Sequence, residues 1–197
     1  MRYDAEHKQK TRSKVLEVAA KAIRQDGPDR IGVASVMAEA GLTHGGFYAH
    51  FKSKDELVAA AIGQLFEESR ARLQRETEGR EPAQGLAAYI DFYLSTTHRD
   101  TRGAGCPMAA LASDLPRLPE ATRLLFAEGA RRLTEALAEK MTAMGYPDPQ
   151  SLARSTVSEL VGALSLARVE TDPQRSDAIL ADSRHRLKQR LGLEAAA

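Results

Sequence analysis

Two adjacent glycines lie inside the run Ala40-Gly41-Leu42-Thr43-His44-Gly45-Gly46-Phe47-Tyr48-Ala49-His50-Phe51, and they restrict the fold more than any other feature of the chain. Upstream, Val33, Val36, Met37 and Ala40 share one helical face, which Gly41 ends. Downstream, Ser53-Lys54-Asp55-Glu56 has the S-x-x-E form of a capping box directly before an apolar-periodic run. The chain between must therefore turn sharply and start a short helix at Thr43, a residue suited to N-capping. Phe47 and Phe51, four apart, would anchor that helix on a core. With those rings inward, a rotation of about 100° per residue points Gly45 and Ala49 outward and sets Gly46 and Tyr48 on the flanks. Each glycine costs about 1 kcal/mol relative to alanine inside a helix, so a nearly bare outer face must have a use. Close approach to a bulky surface such as a DNA groove is one; the alternative is that His44-Gly45-Gly46 is only loop and the helix starts later.

The rest of the chain is punctuated helix. Val15, Leu16, Ala19, Ala22 and Ile23 give a first helix over Lys10 to Gln25, stopped by Gly27-Pro28. After the capping box, Leu57, Val58, Ala61, Ile62, Leu65, Phe66 and Leu73 trace one stripe of a fourth helix. From Lys54 to about Glu76 it would run about 33 Å, enough to join two modules. Gly79 and Pro82 break it, and a fifth, strongly apolar helix carries Leu86 to Leu94. A loop over 99–105 follows, then a short helix over Met108 to Ser113 and a long amphipathic one over Ala121 to Met144. Two more occupy Ser151 to Val169 and Ser176 to Leu191, before a short frayed tail, 193–197. No segment alternates at period two for long enough to be a strand. The expectation is an all-α chain of about nine helices, in which an N-terminal three-helix helix-turn-helix domain, 1–56, is joined by the long fourth helix to a C-terminal helical bundle, 57–197.

Composition removes several classes. Charged residues at 28% and hydrophobic ones at 43% place the chain among ordinary globular proteins. The longest apolar run, Leu57 to Ile62, falls far short of the roughly 20 residues a membrane-spanning helix needs. The charged N-terminus has no apolar export signal, and the single cysteine, Cys106, permits no intramolecular disulfide, so a cytoplasmic home is expected. There is no phosphate-binding glycine loop, no HExxH, no GxSxG and no cysteine pair; His98 and Cys106, eight residues and a glycine loop apart, read as no nucleophile and base. Catalytic residues, metal and cofactor are therefore not expected. A net charge of +1 says little, but Lys8, Lys10, Arg12 and Lys14 form one acid-free basic cluster and His44, His50, Lys52 and Lys54 another.

From Lys10 through Val58 the chain resembles the DNA-binding domain of the TetR family of bacterial transcriptional regulators. Ala40-Gly41, Leu42, Thr43, Gly45, Phe47-Tyr48, His50-Phe51 and Ser53-Lys54 stand in register with that family's turn, apolar residue, cap, glycine, apolar-Tyr pair, His-Phe pair and Ser-Lys helix start. The resemblance implies that Thr43, Tyr48 and Lys54 contact DNA phosphates and that His44 and Tyr48 lie near base edges. It assigns His50 a phosphate role too, from the shoulder of the helix. Gly45 and Gly46 would face the groove. Three positions depart from the pattern: Gly46 replaces a common Ser or Thr, Met37 a small Ala, and Gly32 a Thr or Ser cap.

The same resemblance implies a regulator, by default a repressor, that binds double-stranded operator DNA and is released by a small-molecule effector. It also implies a homodimer through the last two helices, packed as a four-helix bundle. Ser158 and Gly162, four apart, would allow close contact there, and Ile179, Leu180, Leu187 and Leu191 would give the last helix a seam. Phe66, Tyr89, Phe92, Tyr93, Met108 and Phe126 are the candidate lining of an effector pocket, the alternative being that they are simply core. Cys106, at the start of a short helix, is a candidate sensor of oxidants or electrophiles. A helical protein-interaction adaptor without DNA binding is the competing class.

Overall fold

Helix starts follow their capping residues. Ser53 accepts from the Glu56 amide at 3.1 Å while the Glu56 carboxylate takes the Lys52 amide at 2.8 Å, so the capping box is made, with its return bond one residue early. It opens a helix over Lys54–Thr77. Asp148 and Asp172 cap Pro149–Val169 and Pro173–Arg190 through the amides of Ser151 and of Gln174 and Arg175. Both prolines take the first helical position, where no amide partner is lost.

The computed structural model describes the backbone of residues 2–193 and side chains from residue 6; the expected tail beyond 193 lies outside the described residues. The α-helices are α1 Arg2–Asp26, α2 Val33–Glu39, α3 Lys54–Thr77, α4 Pro82–Tyr93, α5 Thr96–Asp100, α6 Pro107–Leu111, α7 Glu120–Ala143, α8 Pro149–Val169 and α9 Pro173–Arg190. Three 3-10 segments, His44–Ala49, Arg102–Ala104 and Leu115–Arg117, complete an all-α fold with no strand among the described residues. α1 begins well before Lys10, where an exposed Glu6–Lys10 pair spans one turn. The region 99–105, expected as loop, is half ordered, because Ser95 caps α5 by accepting from the His98 amide.

The expected third α-helix is instead the 3-10 segment. Gly41, at φ 74°, closes α2 in a Schellman turn: its amide bonds the Ala38 carbonyl at 2.9 Å, and the Leu42 amide bonds that of Met37 at 2.8 Å. Thr43 then makes no side-chain cap bond, and the two glycines contribute little helix propensity. The segment closes through tighter i→i+3 bonds, Gly46 to Thr43 at 3.0 Å and His50 to Phe47 at 2.9 Å. At three residues per turn Gly45 and Tyr48 fall on one line, so Tyr48 leaves the flank and joins the outward face.

α3 is the spine. It packs against α1 on one side and α7 on the other, with α8 and α9 stacked beyond α7. Its interior face buries Leu57, Val58, Ala61, Ile62, Leu65, Phe66 and Leu73. The closest approach is at Gly129 of α7, where any β-carbon would collide with the Phe66 ring. Phe66 in turn meets Phe126 edge-on at 4.9 Å.

Candidate DNA interface and effector cavity

Phe47 and Phe51 bury against the N-terminal core with ring centroids 5.7 Å apart, while Gly46 and His50 beside them are half-buried. Tyr48 is 70% exposed, its ring standing edge-on to Phe47 at 5.3 Å, which limits its freedom before any contact is made. Thr43, His44, Gly45 and Ala49 are exposed, and a β-carbon at Gly45 would meet nothing within 4 Å. Two of the departures from the family pattern meet each other. Met37 is fully buried, and its methyl lies 3.7 Å from where a β-carbon of Gly46 would stand, so the larger residue on α2 fills space beside the missing side chain.

The surrounding charges are partly committed. Lys54 donates to the Asp29 carbonyl at 2.9 Å, Lys10 pairs with Glu6 at 3.4 Å, and the Arg12 guanidinium lies over the Phe51 ring at 4.6 Å. The basic cluster on α1 is therefore not free of acid in space. His50 is half-buried with Nδ1 lacking a partner, and burial, then Lys8 and Arg12, hold its pKa below the usual histidine value.

A second feature lies between α1, α3, α4 and the 102–106 segment. Tyr89, Phe92 and Tyr93 of the expected set line a cavity of about 190 Å³ together with Cys106. Phe66, Met108 and Phe126 do not line it: the two phenylalanines pack on each other, and Met108 is buried in α6. The remaining wall is charged, from Arg24, Glu68, Arg72 and Arg75. Arg24, 4% exposed, bonds Glu68 at 2.6 Å and the Gly103 carbonyl at 3.3 Å, yet its Nε has no partner. The Tyr93 hydroxyl is buried beside the Cys106 thiol, also without a partner of hydrogen-bond geometry, and burial first, then Cys106, pushes its pKa far up.

His98 closes the floor. Its Nδ1 lies 2.7 Å from the Tyr93 carbonyl and its Nε2 accepts from the Cys106 amide at 3.0 Å, which assigns the Nδ1–H tautomer. Burial drives its pKa down to about 4, so the ring is neutral near pH 7. The loop thus brings His98 to Cys106 through the backbone amide, with the ring serving to order that amide.

The family model of bacterial regulatory proteins, tetR family, matches residues 15–61, and that of the LmrA/YxaF-like transcriptional regulator C-terminal domain matches 82–180. An uncharacterised HTH-type transcriptional regulator of Mycobacterium tuberculosis, Rv0196, is 30% identical over 173 residues, covering 82% of this chain and 86% of that one. The chain belongs to the TetR family. TtgR of Pseudomonas putida, an HTH-type transcriptional regulator, is 34% identical over 94 residues, 48% of this chain and 44% of TtgR. Among solved structures, reduced NemR of E. coli shares the fold at TM-score 0.80 and 20% identity, over 91% of this chain and 96% of that one. A TetR-family regulator from Agrobacterium tumefaciens does so at 0.75 and 24%, over 91% and 98%. These relatives are transcriptional regulators, and no helix among the described residues is long and apolar enough to cross a membrane.

Along α8, Ser151, Ser155, Ser158, Leu166 and Val169 are exposed on one line, the last two at 63% and 77%, and Gly162 opens to space. The expected seam on α9 turns inward instead. Leu180, Leu187 and Leu191 are buried in the chain's own core, and only Ile179 is half-exposed.

Sequence reading missed Arg24, Glu68, Arg72, Arg75 and His98 as cavity residues. The signal was charge on apolar lines. Leu16, Ala20 and Arg24 are spaced by four, and Ala61, Leu65, Glu68, Arg72 and Arg75 step by four and three along the same face of α3.

Proposed function

We propose that this TetR-family chain is a dimeric, sequence-specific repressor that leaves its operator when a small molecule occupies the cavity. TetR-family regulators bind operator DNA, typically as dimers, and the observation that carries the reading here is the bare outward line of Gly45 and Tyr48 on a rigid aromatic base. Residues 1–56 act as the DNA-binding domain and 57–197 as the effector and dimer domain. Thr43, Tyr48 and Lys54 contact phosphates, and His44 and Tyr48 lie at base edges. With few outward donors, groove shape carries part of the specificity. Two recognition segments on one duplex face require half-sites about 34–36 Å apart.

Selection of bound sequences from random DNA tests this directly: palindromic half-sites at one-turn spacing are expected, and no enrichment at low salt would favour a protein-interaction adaptor. A second reading, sensing through Cys106, is favoured by the thiol's place in the cavity wall beside Tyr93. Operator release by an electrophile that persists in Cys106→Ser removes it.

A further inference from the structure

The unmet hydrogen-bonding capacity of the cavity is on the donor side, and its wall carries excess positive charge. Arg24 Nε is a donor and nothing else, and the Tyr93 hydroxyl has a proton to place with only the Cys106 thiol beside it; both atoms are closed off, so a ligand reaches them by displacing Glu68 from Arg24. Arg24, Arg72 and Arg75 share the wall with one lining carboxylate, Glu68, which already accepts from Arg24 at 2.6 Å and from Gln64 at 3.1 Å, while Arg72 also pairs with Glu76 at 3.4 Å outside the wall. Behind His98, Arg168 adds a further cation whose Nη1 also lacks a partner. The remaining wall is aromatic: Phe92, its faces taken by His98 stacked at 5.1 Å and the Arg72 guanidinium at 4.4 Å, offers its edge beside Tyr89.

We propose that the cavity takes a small planar aromatic carboxylate, whose acid group is received by Arg24 and the Tyr93 hydroxyl and whose ring lies between Tyr89 and the edge of Phe92. This rests on the regulator reading only for its consequence, because the binding chemistry stands on the cavity alone. The volume of about 190 Å³ suits one ring, as cavities of about 150 Å³ hold benzene. An anion is selected because a neutral or cationic isostere leaves the arginine donors unanswered.

Arg24 also explains why such a ligand matters to DNA. It belongs to α1, and the C-terminal end of α1 is clasped both ways: Arg24 to the Gly103 carbonyl at 3.3 Å, and Arg102 Nε to the Arg24 carbonyl at 3.0 Å. Further along the same helix, Arg12 rests on Phe51, beneath the outward segment. A carboxylate competing with Glu68 for Arg24 acts on the DNA-binding half at first contact. This route runs through α1 and does not need the long helix α3 that joins the two halves.

The test is calorimetric titration of the full chain with sodium benzoate, benzamide and benzamidinium chloride. Benzoate is expected to bind about tenfold or more tightly than either isostere, and to weaken by about tenfold in Arg24→Gln and severalfold in Tyr93→Phe. Tyr93→Phe removes a hydroxyl whose one polar neighbour is the Cys106 thiol, so it remains informative if Arg24→Gln folds poorly. Equal or tighter binding of benzamide or benzamidinium, no benzoate binding at its solubility limit, or unchanged affinity in Tyr93→Phe overturns the proposal. Operator retention by the ligand-free chain is scored separately. DNA binding without benzoate binding sinks the cavity inference alone, whereas benzoate binding without DNA retention sinks the regulator reading and leaves the cavity chemistry standing.

Discussion

Gly45 and Gly129 are the same residue used for opposite reasons. At Gly129 the chain explains the choice, because the Phe66 ring occupies the place of a side chain. At Gly45 nothing in the chain does, since a β-carbon there meets open space and the backbone has no positive φ to relieve. The same contrast separates the two candidate sites. The cavity is defined by what it encloses, charged groups buried with donors left over. The outward segment is defined by what it lacks, neighbours of its own chain above Gly45.

The largest effects should appear on the exposed side, and only in DNA binding. Tyr48→Ala is expected to weaken specific operator binding about a hundredfold or more, and Gly45→Glu to block docking, with thermal stability close to the parent in both. Mobility-shift titration beside a melting curve checks this; unchanged affinity in both variants removes the segment from the interface.

Acid should separate the sites next. The His98 pKa is lowered from 6.5 to about 4, so the folded chain prefers the neutral ring and the unfolded chain takes up the proton first. Stability from this group is whole above pH 6.5 and is lost as pH falls toward 4, by about 3 kcal/mol in total. Urea unfolding at pH 7.5 and 4.5 should show that fall in the parent and a smaller one in His98→Ala. Equal slopes would mean the ring is not held neutral.

The interior glycine comes third. Gly129→Ala should destabilise by about 1–3 kcal/mol through displacement of Phe66, read as a lower urea midpoint at constant slope. The smallest effect is the most diagnostic. Gly45→Ala should raise stability by up to about 1 kcal/mol while operator affinity falls severalfold. If affinity rises together with stability, close approach to the groove is not why a glycine stands there.

Much of this was legible from local chemistry. Capping residues, Gly41 and Gly27 with their positive φ, and the stripes on α1 and α3 set most element ends nearly as observed, since each depends on neighbours within one turn; the start of α1, eight residues ahead of Lys10, is the exception. The aromatic anchors of the outward segment were visible for the same reason. Its 3-10 winding was less so, because a six-residue segment with two glycines has no propensity strong enough to choose between close alternatives, and the Phe47 and Phe51 contacts choose for it.

Side chains whose meaning depends on distant partners could not be read that way. Arg24 finds Glu68 and Gly103 across 44 and 79 positions, and Arg168 finds His98 across 70. Leu180 and Leu187 look like a seam in sequence, and whether a seam faces its own core or a second chain depends on which neighbouring helix arrives first. Periodicity states that a face is apolar. Burial of a charge, and the emptiness left beside it, exist only once helices far apart along the chain have closed around the same space.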